Sequence, residues 1–283
     1  MSPSHEPFSE RIEGAGDHPV GRRAVHEASV ATTRGGILYD ASLLRNPVDA
    51  LFEREHWAAR GALTELVGGR GSVAVLHAAE KDWVLRHYRR GGWAAKISSD
   101  RYVWHGPARA RSYAEWRLLA ELHRRGLPVP RPIAARYVRG RLTYRADLIT
   151  ERLAGMRTLA ELIVADALEP ARWRTVGRTI AAFHREGVRH ADLNANNILC
   201  GDGSAGPPVA LLDFDRGRIR ARGAWEGRVL ARLRRSLKKI QRRQPAVSFT
   251  DEDWRALMEG YEQALAAPTG RSGSSPDSPP SGP

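Results

Sequence analysis

The chain has 283 residues, 42% of them apolar, enough for one large domain or two lobes with a buried core. A single cysteine, Cys200, excludes an internal disulfide framework and fits a reducing compartment; no run of eighteen apolar residues offers a bilayer span. The formal charge of +13 rests almost wholly on arginine, because lysine occurs only at Lys81, Lys96, Lys238 and Lys239. Guanidinium forks suit phosphates and carboxylates, so the charge points to nucleic acid, an anionic membrane surface or an acidic small substrate.

Residues 1 to about 28 show no sustained periodicity and no apolar signal segment, so the expectation is a disordered N-terminus on a cytoplasmic or peripheral protein. Residues 268–283 form a Gly/Ser/Pro tail that cannot order itself by burial. Between them, residues 29–150 read as a β-rich unit. Ser72-Val73-Ala74-Val75-Leu76 and Trp83-Val84-Leu85-Arg86-His87-Tyr88 are predicted as paired strands turning near Glu80-Lys81-Asp82. A helix is predicted over Ala108–Arg125, stopping at Gly126-Leu127-Pro128, and a second hairpin turns at Arg139-Gly140-Arg141.

Residues 151–267 read as α-rich. A short helix follows Thr158, and a longer one runs from Pro170 to Arg185, with Pro first inside and Gly187 just past the end. Short strands at Ile198-Leu199-Cys200 and Val209-Ala210-Leu211-Leu212 follow, then a helical region from about Trp225. In that region Val229, Leu230, Leu233, Leu237 and Ile240 recur at helical spacing amid eight basic residues. The pattern fits a core helix with a solvated face or one lying against acidic groups.

The chemistry concentrates in His190-Ala191-Asp192-Leu193-Asn194-Ala195-Asn196-Asn197-Ile198-Leu199 and Leu211-Leu212-Asp213-Phe214-Asp215. An Asp, an Asn five positions on and a second Asp, all beside short strands, match the kinase template. There one Asp accepts the acceptor's proton while the Asn and the other Asp hold magnesium. Asp192 is therefore the candidate catalytic residue, Asn197 and Asp213 the candidate metal ligands, and His190 a holder of loop geometry. Gly69 and Gly71, in Gly68-Gly69-Arg70-Gly71-Ser72 ahead of the first strand, are candidates for approaching the phosphates of ATP. Arg86 stands where kinases place a strand lysine; Lys96 is the alternative cation, and Glu115 on the predicted helix is the acidic partner. The 89–106 segment mixes Arg89, Arg90, Lys96 and Arg101 with Trp93, Tyr102 and Trp104, a pattern fit for a base, a sugar face or an acidic headgroup.

These motifs, with Leu85-Arg86-His87-Tyr88-Arg89-Arg90-Gly91-Gly92 and Gly126-Leu127-Pro128-Val129-Pro130-Arg131-Pro132, resemble the 3-deoxy-D-manno-octulosonic acid (Kdo) kinases of the lipopolysaccharide kinase family. The likeness runs from about Thr33 to Gly260. It implies an α+β, bilobal protein-kinase-like fold with ATP and Mg2+ held between lobes. It further implies phosphorylation of the Kdo 4-OH on a Kdo-lipid A precursor, at the cytoplasmic face of an anionic inner membrane. No nucleic acid and no obligate protein partner are implied. Against protein kinases the chain lacks the Arg of the catalytic loop, the Gly closing Asp-Phe-Asp and an Ala-Pro-Glu, which argues against control by activation-loop phosphorylation. The alternatives are a kinase of another core sugar such as heptose, or a nucleotide- or nucleic-acid-binding pseudokinase.

Overall fold

The computed structural model describes residues 24–66, 73–89, 100–204, 206–244 and 249–268. Its first half is an antiparallel sheet with one long helix. Strands β1 (Glu27–Thr32) and β2 (Gly35–Asp40) precede α1 (Arg54–Ala58) and β3 (Leu63–Glu65). Then come β4 (Val73–His77), β5 (Asp82–His87), β6 (Tyr102–Val103), α2 (Arg111–Arg124), β7 (Pro132–Arg139) and β8 (Thr143–Glu151). The strand order is β1-β2-β7-β8-β5-β4-β3, with β6 added onto β8. β4 and β5 pair as predicted, Val75 opposite Val84.

The hairpin of β1 and β2 lies partly in the stretch expected to lack structure, beginning at Glu27. β1 alternates exposed and half-buried residues as an edge strand does, whereas Ile37, Leu38 and Tyr39 of β2 are buried. Helix α2 starts three residues later than predicted, after a 3₁₀ turn over Pro107–Arg109. Trp116, Leu119 and Leu122 pin it to the sheet, and the Ser112 hydroxyl donates to the Arg136 carbonyl at 2.9 Å.

The second half is helical. A two-residue strand β9 (Arg157–Thr158) leads into α3 (Leu159–Val164), whose N-cap Thr158 forms a reciprocal capping box with Glu161. Helix α4 spans Pro170–Arg185, as predicted. After β10 (Val188–Arg189) come β11 (Ile198–Cys200), β12 (Val209–Leu211) and β13 (Arg218–Ile219), then α5 (Trp225–Arg243) and α6 (Asp251–Ala266). Helices α4 and α6 pack through glycines. A Cβ on Gly177 would strike the Leu257 carbonyl, and one on Gly260 would strike the Arg174 carbonyl.

One apolar core runs from α2 and the inner sheet face, through Leu148 and Leu211, to Trp173, Leu233 and Leu257 of the helical half. A smaller core around Ile37, Phe52, Trp83 and Ile149 fills the outer sheet face under α1. Val229, Leu230, Leu233 and Leu237 place the apolar side of α5 inside the main core. Burying that stripe leaves the helix no apolar face to lay into a bilayer. Among the described residues no helix is long and apolar enough to cross a membrane.

Candidate active site

The site forms where β5 and α2 of the sheet half meet two loops of the helical half. The first loop leaves β10 at His190 and enters β11 through a 3₁₀ turn over Ala195–Asn197. The second follows β12 and carries Asp213, Phe214 and Asp215. A backbone bond joins the loops, the Leu212 N–H donating to the Asn197 carbonyl at 2.9 Å, and the Leu211 N–H donates to the Pro128 carbonyl at 3.0 Å, tying β12 to the segment between α2 and β7.

His190 is buried and braces both loops. Its Nδ1 accepts the Asp192 N–H at 3.1 Å, which leaves Nε2 protonated to donate to the Leu212 carbonyl at 2.8 Å. Burial pushes its pKa below the ordinary histidine value, so the neutral tautomer these bonds require is favoured. The structural role read for His190 matches this geometry. Phe214 anchors the second loop, fully buried and stacked on Phe183 with ring centroids 5.7 Å apart.

Asp192 and Asn197 are brought together. The Asn197 Nδ2 donates to the Asp192 carbonyl at 2.9 Å, joined there by the Asn194 Nδ2 at 2.9 Å. With the Asn197 amide nitrogen spent on the backbone, its side-chain oxygen takes no donor among the described residues. Asp213 sits at φ +60, a left-handed conformation uncommon for a residue other than glycine, and the turn presents its carboxylate to β5.

There Asp213 meets Arg86. The Arg86 guanidinium bridges Glu115, 2.5 Å away, and Asp213, and its Nη2 also donates to the Tyr88 hydroxyl at 3.1 Å. Gly69, Gly71 and Lys96 lie outside the described residues. Glu115 is 2% exposed and accepts three bonds: from Arg86, from the Tyr88 hydroxyl at 2.5 Å and from the Phe214 N–H at 3.0 Å. Burial pushes the Glu115 carboxyl above its usual range, with the Arg86 charge opposing. For Asp213 burial also disfavours charge, but the Arg86 charge and hydrogen bond win and its pKa falls below the ordinary value.

Two residues of the site were not singled out in the sequence for a role. Asp215, the last of Asp-Phe-Asp, forms a bidentate pair with Arg111 in the first turn of α2, its Oδ1 2.9 Å from Nε. Arg232 of α5 directs both Nε, at 2.7 Å, and Nη2 at the Oδ1 of Asp192. Both contacts join residues far apart in the chain, 104 and 40 positions, and neither arginine belongs to a motif.

The donor set fits a divalent cation bound with phosphates. Asp213 supplies a carboxylate held in its charged form and Asn197 an amide oxygen, the hard oxygen ligands that magnesium takes in small number beside phosphate and water. Among the described residues no cluster of three or more His, Cys, Asp or Glu offers a site made of protein alone.

Comparison with known proteins identifies the family. The sequence profile of the lipopolysaccharide kinase (Kdo/WaaP) family matches residues 54–261. A 3-deoxy-D-manno-octulosonic acid kinase of Stenotrophomonas maltophilia (strain K279a) is 47% identical over 231 residues, covering 81% of this chain and 90% of the relative. Proteins of the same name from Xanthomonas campestris pv. campestris (strain B100) and Xylella fastidiosa (strain 9a5c) are 46% and 45% identical, each over 81% of this chain and 90% of the relative. Among solved structures, WaaP in complex with acyl carrier protein aligns with a TM-score of 0.47 at 19% identity, covering 78% of this chain and 88% of that one. With the profile spanning residues 54–261 and relatives 45–47% identical over 81% of its length, the chain belongs to the lipopolysaccharide kinase (Kdo/WaaP) family.

Proposed function

We propose that this kinase transfers the γ-phosphoryl group of ATP to the 4-OH of Kdo on a Kdo-lipid A precursor. The relatives that are 46–47% identical over 81% of the chain are named for Kdo phosphorylation. The observation that carries the mechanism is the Asp192 carboxylate, half exposed on a loop whose backbone carbonyl accepts the Asn197 amide. Arg232 occupies only its Oδ1.

Asp192 Oδ2 receives the proton of the acceptor hydroxyl as that oxygen attacks the γ-phosphorus. The bond from phosphorus to the bridging oxygen of the β-phosphate breaks, and ADP leaves. Asp213 and Asn197 hold Mg2+, which neutralises phosphate charge when bound. Arg86 cross-links α2 to the metal-ligand loop and presents donors toward the phosphates. Its planar fork serves several acceptors at once where a lysine would act as a point charge. Positioning and charge neutralisation supply most of the rate.

The same reading puts the protein on the cytoplasmic face of the inner membrane, held peripherally by its net charge of +13 against anionic lipid. Comparing turnover on a Kdo-lipid A precursor and on a heptose-bearing acceptor tests the substrate. Preference for the Kdo acceptor is expected, and equal or better turnover on heptose contradicts the reading.

A further inference from the structure

The basic residues of α5 divide by what they touch. Arg234 is structural: its Nη2 lies 2.7 Å from Asp251 and its guanidinium stacks over Trp254 at 5.4 Å, tying α5 to α6. Arg228, Arg232, Arg235 and Lys239 recur at i, i+4, i+7 and i+11, which places them along one side of the helix. All four are exposed. Among the described residues only Arg232 of these four pairs with a carboxylate, and that carboxylate is Asp192.

Stability does not explain the pair. The two side chains are 49% and 48% exposed, and ion pairs at that exposure contribute between zero and about 1 kcal/mol. The geometry is more telling. Arg232 aims two N–H groups at one oxygen, Oδ1, and neither at Oδ2. A guanidinium has five N–H donors, so about three remain beside the point where the hydroxyl reacts. Arg228 and Arg235 flank it one helical turn to either side, at roughly 5–6 Å between Cβ atoms. Among the described residues neither forms an ion pair with a carboxylate.

We infer that Arg232 is the receptor for the acceptor's own carboxylate. Two of its N–H groups orient the Asp192 base, and the remaining donors bind the sugar acid, so one side chain sets both the proton acceptor and the hydroxyl that meets it. Arg228 and Arg235 add field along the same side and make the approach to Asp192 selective for an anionic sugar. This rests on the Kdo reading, since that sugar is the one whose acid group would be recognised.

The test uses the full-length enzyme and two acceptors: a Kdo-lipid A precursor and the same molecule with the Kdo carboxylate converted to its methylamide. The wild type is expected to favour the acid by about 10-fold in kcat/KM, the low end of what a charge-assisted hydrogen bond contributes, because the Arg232 side chain is half exposed and partly screened by solvent. Arg232→Ala slows both acceptors through the loosened base and also erases most of the preference for the acid. Arg232→Lys restores part of it, and Arg235→Ala lowers it by a smaller factor. Thermal melting shows that the variants remain folded. An Arg232→Ala enzyme that keeps the full acid-over-amide ratio overturns the inference, and so does a wild type that makes no distinction between the two. A wild type that phosphorylates neither acceptor overturns the Kdo reading instead.

Discussion

The Arg86 guanidinium lies 2.5 Å from Glu115, a carboxylate only 2% exposed, and simultaneously grips Asp213 on the opposite half of the molecule. One side chain therefore neutralises a buried charge and aligns the candidate metal ligand Asp213. Removing it leaves Glu115 uncompensated, which typically costs about 3–5 kcal/mol. Arg86→Met is expected to lower unfolding stability by about 3 kcal/mol, and Arg86→Met with Glu115→Gln to regain more than half of that. Urea denaturation of both single variants and the double variant measures the coupling. Additive losses would show that the pair is not the unit described.

Asp215 does work that the glycine of the protein-kinase triplet cannot do. Its bidentate grip on Arg111 holds the first turn of α2, and α2 carries Glu115. Asp215→Ala should free that turn, lowering kcat about tenfold, equivalent to roughly 1.4 kcal/mol. Amide exchange over residues 111–115 should rise at the same time. Unchanged exchange in that turn would separate Asp215 from helix positioning.

His184 gives the helical half a pH dependence. It is buried, with Nδ1 2.8 Å from the Tyr261 hydroxyl, and burial lowers its pKa to about 4. Because the folded-state value lies below the ordinary 6.5, the contribution is complete above pH 6.5 and is lost as the pH falls toward 4. The full swing amounts to about 3 kcal/mol at most. Urea midpoints at a series of pH values between 7.5 and 4.5 should decline for the wild type and decline less for His184→Gln. Parallel curves would contradict the assignment.

The α4–α6 contact depends on glycine. A methyl group at Gly177 has no room against the Leu257 carbonyl, so Gly177→Ala must push the helices apart. Overpacking of this kind costs about 1–3 kcal/mol, despite alanine's better helix propensity. Gly227 of α5 meets nothing within 4 Å, so Gly227→Ala should leave stability equal or raise it. A thermal melt of the two variants side by side makes the comparison.

Local signals made some parts of this molecule legible in its sequence. Pro170 and Gly187 mark the two ends of α4, and Gly187 adopts φ +69 where the chain turns. The Asp192, Asn197 and Asp213 spacing is local to two loops, and the structure brings those residues together as the motif implies. Local signals fail where a short element borrows its stability from neighbours. The β1 strand is an edge with half its residues exposed, and the five residues of α1 are too few to show a period. They fail again where tertiary contact assigns the role. Nothing near Arg232 in the sequence distinguishes it from Arg228 or Arg235, and only the packing of α5 sets it on Asp192.

Mass spectrometry of a Kdo-lipid A acceptor incubated with enzyme, ATP and Mg2+ tests most directly whether this site moves a phosphoryl group from ATP to Kdo. The wild type should add one phosphate to the Kdo residue, and Asp192→Ala, folded by its melting curve, should add none. An acceptor that gains no phosphate, gains it on another sugar, or gains it as readily from Asp192→Ala would contradict the claim.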